Sequence, residues 1–341
     1  MFSLLKKLSL CAGLALLAGM AQAEPFRIIV TSTEAPLVPN SLLFLSKSAG
    51  YFDRAGVDVE LVPTAQTPMA VAALRAGEGE MANISLDSVI SLHREGVEDM
   101  IAVHSTDKSI PFLIAGRKDL TLETMPGTAY GIGRLRSLDH DLSSRVLEAL
   151  GVNVDTLKLV PLGAPATRAQ ALLAGQIDAT TMSIGTYLAM PEHERFKVLV
   201  SVKDFFELNP LVSKVDVVRA ETLKTRGDDV EKVLEALTLA ARDYAAHPEK
   251  WVDDMASARP DVTRATLEEL AVTYKDSWSV NGGFQFDELL FSARNTQQTF
   301  KRENGEDTPF RVEIEDWADF APMDAVLAKL GTSDLGDKVT R

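Results

Sequence analysis

The chain has 341 residues, of which 46% are hydrophobic and 25% charged, with 49 acidic against 35 basic side chains and a formal net charge of −14. That balance excludes nucleic acid and anionic lipid surfaces as favoured partners, since both repel an acidic chain. The only cysteine is Cys11, so everything after it lacks disulfides, thiolate metal ligands and a thiol nucleophile.

Taken in order, the chain opens on Lys6 and Lys7, an apolar run from Leu8 to Met20, and the small-x-small motif Ala21-Gln22-Ala23. The run is short for a membrane span, and the pattern reads as a secretory leader over residues 1–23, cut after Ala23. A lipoprotein leader ending at Cys11 is the competing reading, although Leu10 stands where a small residue is expected. The exported chain is two units more negative and must be held by apolar burial, which roughly 300 residues can supply.

Phe26–Val30 reads as a first strand, and a helix starts at Ser41 after Pro39. Next comes a unit that occurs twice. Gly56-Val57-Asp58-Val59 and Leu61-Val62-Pro63 recur as Gly151-Val152-Asn153-Val154 and Leu159-Val160-Pro161. Ala73–Leu86 recurs as Ala171–Ile184. Each copy gives a strand ending at proline, then an Ala/Leu helix closed by Gly77 or Gly175. A short strand and a Ser-bearing loop that opens another helix follow. This β-α-β-α order predicts mostly parallel sheets flanked by helices, in two similar lobes.

Met100–Val103 and Phe112–Ala115 are short strands around a first crossing between lobes, expected near His104–Ile110; Lys197–Val200 lies near the return, expected near Val200–Phe206. One lobe then combines residues 24–105 with about 205–341, and the other covers 106–204. From Asp228 the pattern is helical, over Val230–Ala246, Thr266–Trp278 and Phe286–Phe300, and Glu303–Thr308 reads as a polar loop.

Ser48-Ala49-Gly50-Tyr51-Phe52-Asp53-Arg54-Ala55-Gly56-Val57-Asp58-Val59 resembles the "GYF…aGldV" signature of periplasmic solute-binding proteins. The family meant is the one serving ABC importers of the nitrate, sulfonate, taurine and thiamine-precursor type. Ala73–Ser88, Ala129-Tyr130-Gly131-Ile132-Gly133, Ala171–Ala179 and Ala321–Gly331 extend the resemblance over nearly the whole exported chain. It implies the α/β two-lobed periplasmic-binding-protein fold, type II-like, with the ligand cleft between lobes. It also implies a monomer that binds a small polar or anionic organic solute and delivers it to a permease coupled to an ATPase. There are three departures. Glu80 replaces the usual Asp, Thr64-Ala65-Gln66-Thr67-Pro68 replaces a Gly-rich turn, and Arg134-Leu135-Arg136-Ser137 replaces a Gly-Ser.

Ligands of open α/β sheets sit beyond the carboxyl ends of the strands, where helix N-termini present free N–H groups. From one lobe this selects Thr31, Ser32, Thr33, Gln66, Thr67, Ser85 and Asp87. From the other it selects Arg134, Arg136, Ser137, Ala164, Thr167 and Ser183. Thr67, Ser85 and Ser137 fit two roles, ligand contact or an N-cap worth about 1 kcal/mol. Arg134 and Arg136 suit a carboxylate or sulfonate because a guanidinium fork matches those groups. For a neutral heterocycle the candidates are Phe112, Tyr187, Phe205 and Phe206, all of which also suit a core.

An enzyme is not expected. His93, His104, His140, His193 and His247 show no metal-ligand spacing, and no nucleophile elbow, P-loop or paired-carboxylate motif occurs. No cofactor is implied. Two other roles remain on this fold: a periplasmic sensor subunit, and an enzyme making a thiamine pyrimidine precursor. The latter resemblance is tied to cysteine-rich motifs that the exported chain lacks.

Overall fold

The computed structural model describes residues 24–37, 40–107, 110–135, 137–304 and 313–340. The proposed leader and Arg136 lie outside the described residues, as does most of the expected loop at Glu303–Thr308. The first segment runs β1 (Phe26–Val30), α1 (Ser41–Ser48), α2 (Tyr51–Ala55), β2 (Val59–Pro63), α3 (Thr67–Arg75), β3 (Met81–Ser85), α4 (Leu86–Arg94) and β4 (Met100–Asp107). The second runs β5 (Phe112–Arg117), β6 (Ala129–Ile132), α5 (Leu138–Ala149), β7 (Lys158–Pro161), α6 (Pro165–Leu173), β8 (Ala179–Ser183), α7 (Ile184–Leu188), β9 (Phe196–Val200) and α8 (Val202–Leu208). The chain then forms β10 (Lys214–Arg219), α9 (Ala220–Ala246), α10 (Pro248–Ala258), α11 (Arg264–Tyr274), α12 (Phe286–Asn304), α13 (Ile314–Trp317) and α14 (Ala321–Leu330).

Two five-stranded sheets result, ordered β2-β1-β3-β10-β4 and β7-β6-β8-β5-β9. In each, the first three strands are parallel and the fourth runs against both neighbours. The reversed strands, β5 and β10, are the first strands laid down after the chain passes from one sheet to the other. Strand alternation sorts side chains into layers. Phe26, Ile28 and Val30 of β1 join Leu113, Ala115 and Met182 of the second sheet in a core that spans both sheets. Ile29 faces the opposite way, towards α3, α4 and Trp317. Ile114, Tyr130 and Ile132 face α5 and α8.

The repeated unit is β2-α3-β3-α4 against β7-α6-β8-α7, and both glycine caps adopt left-handed backbone, φ 77° at Gly77 and 67° at Gly175. Glu80 and Asp178 hold equivalent places. Glu80 accepts from Arg27 N at 2.7 Å and from the Arg27 guanidinium, also at 2.7 Å. Asp178 accepts from Ala129 N at 2.8 Å and forms an ion pair with Arg117 at 2.8 Å. In each sheet, therefore, a carboxylate before one strand anchors the start of its neighbour. Burial pushes the Glu80 carboxyl up, but the Arg27 bonds prevail and hold it below the ordinary glutamate range.

The return crossing lies later than Val200–Phe206, and the boundary at 204/205 moves with it. Helix α8 belongs to the second sheet: Phe205 is fully buried there, edge-on to Phe112 at 5.8 Å, and Asn209 Nδ2 donates to Leu142 O at 3.1 Å. The chain leaves only after Asn209. The helix expected from Val230 already begins at Ala220, with non-helical backbone at Arg226 beside Gly227.

Candidate functional site

The carboxyl edges of β1, β2 and β3 carry the first group of expected residues. Beyond β1, Ser32 Oγ donates to Glu34 O at 2.6 Å, shaping a turn, and Thr33 is exposed. Thr31 Oγ1 accepts from Lys214 Nζ at 2.8 Å. Because β10 runs backwards, its first residue lies at the edge where β1 and β3 end, opposite Ser85. The lysine is thus a cation at the site edge that a forward reading of the chain does not place there. Gln66 is the exposed N-cap residue of α3, without a side-chain cap bond, and Thr67 follows it. Ser85 precedes α4 and bonds its hydroxyl to Ser88 Oγ at 2.8 Å. Asp87 is an exposed acid of the first helical turn.

Behind this edge lies a buried polar chain. Asn83 Nδ2 donates to Asp216 Oδ1 at 2.8 Å, His104 Nδ1 lies 2.7 Å from Asp216 Oδ2, and Thr106 Oγ1 donates to Asn40 Oδ1 at 2.9 Å. His104 and Asp216 are fully buried. They tie β3, β10 and β4 together and cannot meet a solute.

On the second sheet the edge is built around Arg168, which is 3% exposed. Its Nη1 donates to Gly163 O at 2.6 Å and its Nη2 to Thr181 O at 3.0 Å; Nη1 also lies 3.5 Å from Asp139 Oδ2. Asp139 in turn accepts from Gly133 N at 2.9 Å and from Ser137 Oγ at 2.6 Å. The buried arginine therefore fixes the turn between β6 and α5. Behind it, Tyr130 Oη bonds Thr181 Oγ1 at 2.6 Å, and burial pushes the Tyr130 phenol up to about 12.

Arg134 projects from this turn and is exposed; its main chain bonds the Ser137 hydroxyl in both directions. Thr167 is exposed on α6, and Ala164 precedes that helix. Ser183 is a true N-cap, accepting from Thr186 N at 3.1 Å. Sequence reasoning missed Arg168 and Lys214. The signal for Arg168 was present, as a lone arginine beside Ala169, Ala171 and Leu172 on the buried face of α6.

The two edges meet around a cavity of about 470 Å³. Pro36 and Leu37, from the loop after β1, form one wall. Ala166, Ala169 and Gln170 of α6 form another, and Ser183, Gly185, Thr186, Ala189, Met190 and Pro191 form a third. Of the expected site residues only Ser183 lines it. Tyr187 is core instead, donating to His193 O at 3.1 Å, and Phe205 packs under the second sheet.

Solved structures carry the same fold. The putative sulfonate ABC transporter periplasmic sulfonate-binding protein SsuA from Methylobacillus flagellatus KT superposes with a TM-score of 0.72 at 14% identity, over 93% of this chain and 98% of that one. The periplasmic aliphatic sulphonate binding protein SsuA from Escherichia coli gives 0.64 at 16%, over 86% and 91%. An enzyme shares the fold: the desulfurization enzyme DSZB, solved as a mutant in complex with biphenyl-2-sulfinic acid, gives 0.64 at 16%, over 89% and 99%. Among curated proteins, none matches this sequence. The NMT1/THI5-like family model matches residues 40–251, more than half of the chain. The repeated units, the glycine-capped helices and the paired sheets all fall within or around that span, and the protein belongs to the NMT1/THI5-like family.

Proposed function

We propose that this protein is the solute-binding component of an ABC-type importer, exported to the periplasm with its leader removed after Ala23. It captures a small polar or anionic organic solute between the two sheets and hands it to a membrane permease. The observation that carries this reading is the cavity whose walls come from both carboxyl edges. A solute held by both sides favours their closed arrangement by its differential affinity for that state. Thr31, Ser32, Thr33, Gln66, Thr67, Ser85 and Asp87 are the proposed contacts from one side. Arg134, Arg136, Ser137, Thr167 and Ser183 are those from the other.

Mass spectrometry of the solute that co-purifies with the protein tests binding, and small-angle scattering tests closure, with a smaller radius of gyration expected when that solute is bound. No change at saturation removes the closure account. For an anionic solute, Arg134→Ala weakens binding by about 1.5–3 kcal/mol, the scale of a charge-assisted hydrogen bond; unchanged calorimetric affinity takes Arg134 out of the site. The fold shared with DSZB makes catalysis the second reading. Residues 24–341 contain no cysteine, which bars thiolate chemistry, and recovery of the bound compound chemically unaltered after prolonged incubation separates carrier from enzyme.

A further inference from the structure

The walls of the inter-sheet cavity specify more than the presence of a solute. Leu37 and Pro36 face Ala166 and Ala169 across it, with Met190 and Pro191 beyond. Among the described residues, no charged side chain lines it. The nearest cation along α6, Arg168, is turned away and engaged by Gly163 O and Thr181 O. The polar groups on the wall are few. The Ser183 hydroxyl is committed to capping α7 and to Thr186 Oγ1 at 2.9 Å, which leaves Gln170 as the main adaptable donor. A carboxylate or sulfonate pressed against these walls would give up part of its hydration with no compensating charge, which is unfavourable. An apolar group would lose only contact with water. At about 470 Å³ the space also falls within the range of pockets that take drug-sized organic ligands, far larger than a small inorganic anion requires.

Building on the solute-binding reading, we infer that the solute is amphipathic: an uncharged, largely hydrocarbon or aromatic body occupies this cavity, and any charged head lies outside it, at the exposed edges. Leu37, Ala166, Ala169 and Met190 then set specificity by shape. Gly185 sets the depth of the wall, since a Cβ there would come within 3.7 Å of Leu37 Cδ1.

The test is calorimetry on the full exported chain with two homologous series, straight-chain alkanesulfonates and the matched 1-alkanols, each from two to eight carbons. Affinity is expected to rise about four-fold per methylene in both series, the increment for burying one CH₂. Ala166→Trp and Gly185→Leu fill the cavity from two different walls, and each is expected to flatten that slope while melting as a folded protein. Affinity that is flat or falls with chain length overturns the inference, as does a slope that survives in both folded variants, or failure of every member of both series to bind. The importer reading fails separately, only if no solute is recovered from the purified protein and none from a metabolite extract binds it.

Discussion

Arg168 is the residue on which the second sheet's site edge depends, and Arg168→Met isolates its contribution. Methionine keeps most of the buried stem but removes the guanidinium. Gly163 O and Thr181 O lose charged donors at 2.6 and 3.0 Å, and Asp139 loses a neighbouring cation at 3.5 Å. Each carbonyl left without its partner costs about 1–3 kcal/mol. Asp139 is 17% exposed and keeps Gly133 N and Ser137 Oγ, so the loss comes chiefly from the two carbonyls, and about 2–6 kcal/mol is expected in urea unfolding at neutral pH. Adding Asp139→Asn removes the uncompensated charge, so the double variant is expected to lose less than the sum of the singles, by about 1 kcal/mol or more. A single variant within about 1 kcal/mol of wild type, or strict additivity, would refute the account of Arg168 as the fixed cation beneath the β6–α5 turn.

Glu80→Gln replaces the charge-assisted bonds to Arg27 by weaker ones and should cost about 1.5–3 kcal/mol at pH 7. Because the folded carboxyl is held below its ordinary value, its stabilisation is present above the usual glutamate pKa of about 4.3 and is lost as the pH falls through the depressed folded value. The gap between wild type and variant should therefore close on acidification; a constant gap in melts across that range counts against the ion pair. Gly283 adopts φ 66°, and a Cβ there would lie 2.3 Å from Ser105 O. Gly283→Ala should accordingly lower stability by at least about 2 kcal/mol through forced backbone movement and left-handed strain, and an unchanged melting temperature would contradict that contact.

Much of the fold was legible because the repeat writes it twice. Local periodicity located β1, β3 and β8, and glycine positions marked the ends of α3 and α6. What periodicity cannot carry is direction. Lys214–Arg219 was not expected as a strand, yet it forms one antiparallel to both neighbours; even once recognised, nothing in its composition says which way it runs, so Lys214 could not be assigned to the site edge. The same limit hid the allegiance of α8, decided by Phe205 and Asn209 packing against residues distant in sequence. For the site itself, turn and cap chemistry put Ser183 at the head of α7, where it lines the cavity. The aromatic Tyr187 was equally eligible for core or ligand, and only packing resolves that choice.

The reversed strand β10 has a further consequence. Lys214 is the register partner of Asp107, the last residue of β4. Strands β4 and β10 therefore form a hairpin whose connecting loop is an entire folded sheet with its helices. An unstructured loop of roughly a hundred residues would make that pairing entropically costly and slow. If the insert folds first, Ile110 and Asn209 are already held as its two ends, and the hairpin closes as though its loop were short. Pulse-labelling hydrogen exchange would register this order as protection of β8 before β10; the reverse order would mean that the outer sheet nucleates alone. The topology thus sets the sequence in which a nascent chain can assemble its two sheets, with the insert as the unit of nucleation and the terminal segments condensing upon it.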